Sequence, residues 1–304
     1  MEKSRISNWL KKKKIFFSDK DFNQAFSYTI KNNRPFLTLS IKKNQKPEIL
    51  KLLIPGSKSY LKKALLNETV AHRILPKIFN QRLEYYVGVP DLIEKNFSNP
   101  SFVYFIREEI PGKPAGDSFN YKKGRLDKQK VIRIIHSLKQ FSRLSLNNFS
   151  FNEPYKINQK RWGEEILKNL ANEITPKTKK IINFSKIIAL SQEAFSGKIP
   201  SPVPVHGDII PGNIIISKES NLFLIDWEKI FPGSLFYDYA TLYSSLWPEP
   251  ILQKEILEFL IKQNKKEYEQ KKLEFLFFSV CHMVIIYLNS PNKFLLKNIT
   301  RALK

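Results

Sequence analysis

The stretch VPVHGDIIPGNIII, residues 203–216, sets His206, Asp208 and Asn213 within eight residues and separates them with glycine and proline. The apolar runs at its two ends read as short buried strands, so the polar residues lie on a loop held at both ends and Asp208 is presented rigidly. A little further on, LFLIDWE places a second carboxylate, Asp226, straight after another strand-like run. Pairing of residues 214–216 with 222–225 across the turn SKESN would bring Asn213 and Asp226 to neighbouring ends of a hairpin, with Asp208 beside them. Two carboxylates and an amide oxygen meeting there form a hard-oxygen site, suited to Mg²⁺ rather than to zinc or copper.

The carboxylates need not share one role. In phosphoryl-transfer sites of the kinase type an Asp accepts the hydroxyl proton, an Asn a few residues later binds metal, and an Asp after the next strand binds the metal that bridges the phosphates. The order Asp208, Asn213, Asp226 matches that arrangement. HGDIIPGN followed by LIDWE, with eighteen residues from Asp208 to Asp226, resembles the aminoglycoside phosphotransferase and choline kinase family. These are relatives of the protein kinases whose catalytic loop reads H-G-D-x-x-x-x-N and whose metal motif reads I-D-[FW]-E. The resemblance implies Asp208 as catalytic base, His206 as a supporting residue of the catalytic loop, and Asn213 and Asp226 as Mg²⁺ ligands.

The same family asks for a lysine on the third strand and a glutamate in the following helix, an ion pair that holds the nucleotide phosphates. EILKLLI supplies Lys51, a charge inside an apolar strand, and LLNETVAH supplies Glu68 on the apolar face of a helix. YFIREEIPGK resembles the hinge, which implies that the backbone of Glu108 and Ile110 meets adenine. GSLFYDYATL resembles the segment that follows the metal motif. It implies Asp238 as an anchor of the C-terminal lobe and, with Trp227 and Glu228, as a residue bordering the acceptor. The resemblance runs over roughly residues 25 to 245. One departure is that IKNNRP, in the turn where the family often carries a Gly/Ser phosphate loop, has no glycine; Asn32 and Asn33 tolerate left-handed turns instead.

The elements that must position these residues follow from periodicity. AFSYTI, PFLTLSI and PEILKLLI, separated by the turns KNNR and KKNQK, read as three antiparallel strands. A helix begins near Ser57, with Leu61, Ala64, Leu65, Glu68, Ala71 and Leu75 on one face. LEYYVGVPDLI and SFVYFIREEI add two strands, and PGKPAG breaks the pattern before a mainly helical remainder in which KQKVIRIIHSLKQF is amphipathic. The expectation is an α+β, two-lobed protein-kinase-like fold. A nucleotide-binding lobe over 1–107, a five-stranded antiparallel sheet with one helix, joins a mainly helical catalytic and substrate-binding lobe over 108–304 through a hinge at about 107–113.

Composition limits the function classes. With 42% hydrophobic residues and only ten glycines among 304, the chain is a folded protein rather than a low-complexity one. Its single cysteine, Cys281, excludes an intramolecular disulfide, and no Cys/His cluster has zinc spacing. MEKSRISNWLKKKKIFF has charge but no apolar core, so it reads as a solvated basic segment rather than a leader. Runs such as MVIIYL fall short of the eighteen or so apolar residues of a membrane span, and a cytoplasmic setting is expected. A net charge of +23 would suit a polyanion, but the lysines are spread along the chain with no nucleic-acid-binding motif, which disfavours nucleic acid as partner.

The partner expected is a small-molecule hydroxyl acceptor. Trp227, Tyr237, Tyr239, Tyr243 and Trp247 near Glu228 and Glu249 would suit an amine, although spacing by four is that of an aromatic stripe packed in a core. A protein acceptor is disfavoured, because no D-F-G or A-P-E motif is present. The function expected is transfer of the γ-phosphoryl of ATP, with GTP as the alternative donor and Mg²⁺ as cofactor, to an amino alcohol, sugar or aminoglycoside-like molecule. The contrasting reading is a catalytically weak nucleotide-binding module with a basic surface that binds nucleic acid or another partner.

Overall fold

The computed structural model describes residues 2–43, 46–99, 101–117, 124–150, 159–196, 201–263 and 265–303. Two amphipathic helices open the chain, α1 (Glu2–Lys12) and α2 (Asp19–Lys31). Strands β1 (Phe36–Lys43) and β2 (Lys46–Leu53) follow and pair antiparallel with Thr38 opposite Lys51. Helix α3 (Ser59–Phe79) comes next, then β3 (Leu92–Asn96) and β4 (Tyr104–Glu108), giving a sheet in the order β1-β2-β4-β3. Because side chains alternate across a strand, the sheet presents two different faces. Leu37, Leu39, Ile41, Leu50, Leu52, Tyr104 and Ile106 pack with Ile6, Leu10 and Phe22 of the first two helices. Phe36, Leu53, Val103 and Phe105 pack with Leu65 of α3. Lys51, opposite Phe105, lies on this second face.

Three expectations are corrected here. The sheet has four strands rather than five, because AFSYTI is the second half of α2. Ser18 caps that helix by accepting from the Asp21 N–H, Asp19 and Asp21 lie in its first turn and Lys31 in its last, all of which complement the helix dipole. Over six residues the apolar positions also fit a strand; extended back to Phe22, they fit the helical stripe Phe22, Phe26 and Thr29. IKNNRP therefore ends a helix instead of joining two strands, with Asn33 at φ +49°, and Lys51 falls on the second strand. The basic N-terminus is likewise not merely solvated. Ile6 and Leu10 are fully buried and Trp9 stacks on Phe102 at 4.6 Å, while the lysines of α1 face outward.

Beyond the hinge, β5 (Gly112–Pro114) leads into α4 (Lys128–Phe141), α5 (Gln159–Glu173), α6 (Pro176–Ile181) and α7 (Phe184–Ala194). Short strands then carry the motif loop: β6 (Val203–Val205), β7 (Ile214–Ser217), β8 (Leu222–Leu224) and β9 (Phe231–Gly233). They form the small sheets β5-β7-β8 and β6-β9. Helices α8 (Leu235–Ser245), α9 (Pro250–Gln263), α10 (Lys265–Asn289) and α11 (Lys293–Ala302) complete the lobe. Its core joins Val131, Ile135 and Leu138 of α4 to Ile187, Trp227, Tyr239, Trp247 and Phe277. Among the described residues α10 is long and apolar enough by length and composition to cross a membrane, but 56% of its apolar window is buried among the other helices.

Candidate active site

The hairpin expected from the sequence is present: Ile214 pairs with Leu224 and Ile216 with Leu222. Its open end brings the motif residues together. The Ile225 N–H donates to the Asn213 carbonyl at 3.0 Å, so Asp226 begins beside Asn213. Asn213 donates from Nδ2 to the Asp208 carbonyl at 3.0 Å and to Asp208 Oδ2 at 3.2 Å, which leaves Oδ1 as an acceptor. Asp226 sits in the left-handed region, at φ +65° and ψ +59°. A carboxylate residue tolerates that conformation better than most, at a cost of about 1–3 kcal/mol.

His206 supports the loop from inside. It is fully buried against Trp227, with ring centroids 4.3 Å apart. Its Nδ1 accepts from the Asp208 N–H at 3.3 Å, so Nε2 carries the proton and donates to the Ile225 carbonyl, also at 3.3 Å. Burial pushes the ring down to about 4, and it stays neutral at pH 7. Gly207, at φ +84°, has the Lys229 carbonyl 2.4 Å from where a Cβ would sit, so only glycine lets the two segments approach. The N–H groups of His206 and Gly207 donate to the two Asp238 oxygens at 2.8 and 2.9 Å. Burial raises the Asp238 carboxyl to about 7 against those two donors.

The second half of the site converges on one nitrogen. Lys51 Nζ lies 2.8 Å from Glu68 Oε2 of α3, 2.6 Å from Asp226 Oδ1 and 2.6 Å from Glu228 Oε2. Burial alone would lower the Lys51 pKa, but the three carboxylates raise it well above the ordinary lysine range. Burial pushes Glu68 and Asp226 upward, yet Lys51 holds both below the usual carboxylate range. Burial, with Asp226 and Glu68 beside it, leaves Glu228 raised. One ammonium among three carboxylates whose oxygens lie within 4.8 Å of one another leaves an excess of negative charge, and oxygen donors of this kind suit a hard divalent cation.

Two clefts flank this cluster and share Pro35, Phe36 and Glu228. One, about 300 Å³, is lined by Tyr28, Thr29, Arg34, Thr38, Lys51 and Asp226; the other, about 420 Å³, by Tyr60, Asn67, Glu165, Lys229, Phe231 and Tyr237 among others. The first cleft shows that α2, and not a strand, faces Lys51. At the hinge, Glu108 is exposed, its N–H donates to the Asp91 carbonyl, and its own carbonyl accepts from Arg107 Nη1 at 2.9 Å. Ile110 is half-buried.

Not every residue expected at the acceptor reaches it. Trp227 is fully buried, donates to the Leu224 carbonyl and packs on Phe141, so it is a core residue. Asp238 is enclosed beneath the loop, an anchor and not a surface. Glu228 is turned toward Lys51 and, of these three, is the one that borders both clefts. Tyr239 and Trp247 are buried as a packed stripe. Sequence reasoning passed over Lys229, whose Nζ lies 2.9 Å from Asp208 Oδ2. It follows the metal motif directly, and its position gave a signal only once the loop was folded against it.

A sheet lobe and a helical lobe that meet at an Asp–Asn loop, with a buried Lys–Glu pair facing it, define a kinase-like phosphotransferase. A family model described as the phosphotransferase enzyme family matches residues 71–273, and the chain belongs to that family. It is a phosphotransferase by family. No curated protein matches it in sequence. Among solved structures, aminoglycoside phosphotransferase APH(4)-Ia in its apo form, as a thermostable mutant, is similar at 9% identity and a TM-score of 0.55, covering 88% of this chain and 90% of that one. The GDP and kanamycin complex of APH(2")-IIIa is similar at 12% identity and a TM-score of 0.58, with 88% of each chain covered. A choline/ethanolamine kinase family protein from Mesorhizobium loti is similar at 12% and 0.55, covering 88% of this chain and 85% of that one. At these identities the likeness is one of fold.

Proposed function

We propose that the protein transfers the γ-phosphoryl group of a nucleoside triphosphate to a hydroxyl of a small molecule, with residues 1–107 holding the nucleotide and 108–304 supplying the base and the acceptor site. The observation that carries this reading is the single nitrogen of Lys51, within 2.8 Å of Glu68 and 2.6 Å of Asp226, which ties the sheet, α3 and the catalytic hairpin to one point. Glu68 fixes the lysine; Lys51 then offers its remaining N–H donors to the phosphates, releasing Asp226. Asn213 Oδ1 and the Asp226 carboxylate are the oxygen donors that fit Mg²⁺. Bound there, the ion supplies positive charge to the phosphate oxygens.

Asp208 accepts the proton of the attacking hydroxyl through Oδ2, the oxygen that now holds Lys229. Lys229 is exposed enough to swing from Asp208 to the incoming γ-phosphate, so that nucleotide binding frees the base. The 420 Å³ cleft beside Lys229, with Phe231, Tyr237 and Glu165 on its walls, is the acceptor site in this reading. The test is Mg²⁺-dependent release of ADP from ATP, and of GDP from GTP, across a panel of amino alcohols, sugars, nucleosides and aminoglycosides. Stimulation by one acceptor, lost in Asp208→Asn, is expected; failure of any nucleotide to bind would overturn the mechanism.

A further inference from the structure

Lys11, Lys12, Lys13 and Lys14 run from the last turn of α1 into the turn that follows it, and all four are exposed. Lysine at a helix C-terminus complements the dipole, which accounts for Lys11 and Lys12; Lys13 and Lys14 lie beyond the helix. Lys14 turns the chain at φ +55°, and the next two residues point opposite ways. Ile15 is buried in the core under the sheet, whereas Phe16 is 69% exposed. The backbone of Phe16 is nonetheless fixed. Its N–H donates to the Lys42 carbonyl at 3.3 Å and its carbonyl accepts from the Lys42 N–H at 2.8 Å, an antiparallel bridge to β1, the edge strand. Residues opposed across such a bridge put their side chains on one face, so the exposed Lys42 stands beside the ring. Lys46, also exposed, opens β2 at the end of the same hairpin. Among the described residues none of Lys11–Lys14 or Lys42 forms an ion pair. Asp19 and Asp21, in the first turn of α2, are the nearest acids along the chain and are outnumbered by the lysines.

An aromatic ring held in water on a fixed backbone, with ammonium groups on either side of it, suits an anionic lipid surface. The lysines gain from the negative surface potential, and the ring enters the boundary between headgroups and acyl chains. The apolar face of α1 is not free to do this, because Ile6, Trp9 and Leu10 are spent on the sheet. Contact is therefore made by the end of the helix and the adjoining hairpin, not by a helix lying flat. Two other occupants fit less well. A second copy of a chain of net charge +23 is repelled. A nucleic acid is gripped best by the planar fork of arginine, and the basic groups of this patch are all lysines. We infer that Phe16 and the lysines around it form a membrane-docking surface that binds anionic phospholipid bilayers reversibly. The inference does not rest on the phosphotransfer reading, whose residues are others.

The test is co-sedimentation of the full-length protein with vesicles of phosphatidylcholine alone and of phosphatidylcholine and phosphatidylglycerol in equal parts. Thermal melts show that each variant folds. The unaltered protein is expected to partition onto the anionic vesicles on the order of 10³-fold more strongly than onto the neutral ones, and less so as salt is raised. Lys12→Gln, Lys13→Gln and Lys14→Gln combined should weaken that partition by a factor on the order of 10². Phe16→Ser, which changes no charge, should weaken it about tenfold. The overall charge draws the protein to any anion, so a second triple variant serves as control. Lys293→Gln, Lys297→Gln and Arg301→Gln on α11 remove as much charge from another basic surface and should change the partition less than about threefold. Equal losses in the two triple variants overturn the inference, because the attraction is then diffuse. An unmoved Phe16→Ser overturns it as well, as does equal binding to both kinds of vesicle. Binding of a DNA duplex while anionic vesicles are left free overturns it in favour of nucleic acid.

Discussion

The catalytic hairpin and the N-terminal helical face both border the cleft, but they are held by opposite means. Between Val205 and Glu228 the bonds that shape the site span few residues: Asn213 to Asp208, the Ile225 N–H to Asn213, and His206 to the Asp208 N–H. The face made by α1 and α2 has one local determinant of note, the Ser18 cap, and otherwise depends on distant partners. Trp9 lies on Phe102, and Ile6, Leu10 and Phe22 complete a core with Leu39, Leu50 and Tyr104. The chemistry is therefore written locally, and its enclosure is written in long-range packing. A chain can keep the first while changing the second, as this one does by placing a helix where the first strand was expected.

That contrast can be broken most sharply at Asp208. Asp208→Asn should lower turnover by a factor on the order of 10²–10⁴ and leave the melting temperature nearly unchanged, since backbone groups and the Asn213 amide hold the loop. A large fall in thermal stability would show that the carboxylate itself maintains it. Lys51→Met should act on both regions at once. It removes the grip on phosphate and strands Glu68, Asp226 and Glu228 around an empty centre, at a cost of about 3–5 kcal/mol in urea unfolding at pH 7. Stability equal to that of the parent would mean the cluster is solvated rather than buried.

Acid should weaken the hairpin side through its histidines. His206 and His282 are held down to about 4 by burial, so in the folded chain both remain neutral at pH 5, while in the unfolded chain both take up protons below about 6.5. Asp238 works the other way, because its carboxyl at about 7 keeps a proton that the unfolded chain releases. Unfolding between pH 6 and 4.5 then takes up about one net proton. Stability should fall as pH drops through that window, by about 1.4 kcal/mol per unit. Urea midpoints at pH 6.5, 5.5 and 4.5 measure it, and a flat profile would show the histidines to be charged in the fold. The smallest effect tests the other region: Ser18→Ala should cost about 1 kcal/mol, whereas a strand over residues 25–30 would not register the loss of a cap.

Much of the site was legible in the sequence because its determinants are close together in the chain. Glycine at 207, the apolar runs on either side of the loop and the spacing of Asp208, Asn213 and Asp226 each follow from a physical requirement of one short unit. Lys51 and Glu68 were legible for a different reason: a charge in an apolar strand and an acid on the apolar face of a helix call for each other when buried. Trp227 was misjudged because an aromatic next to a metal motif looks the same whether it faces a ligand or the core, and here it fills the space behind His206. Lys229 was passed over because its partner, Asp208, is met only after the chain has folded back on itself.

The sequence by itself determined the two-lobed class, the catalytic loop with its hairpin and the buried Lys–Glu pair. Each depends on local geometry or on the cost of burying a charge, and both can be read along the chain. Only the tertiary structure decided that residues 19–31 are helical, that Lys229 rests on Asp208, and that Trp227 and Asp238 lie beneath the site. A six-residue apolar pattern satisfies either period, and which one prevails depends on the surface it meets. The sheet face formed by Leu37, Leu39, Ile41, Leu50 and Leu52 is that surface, and its far side carries Lys51.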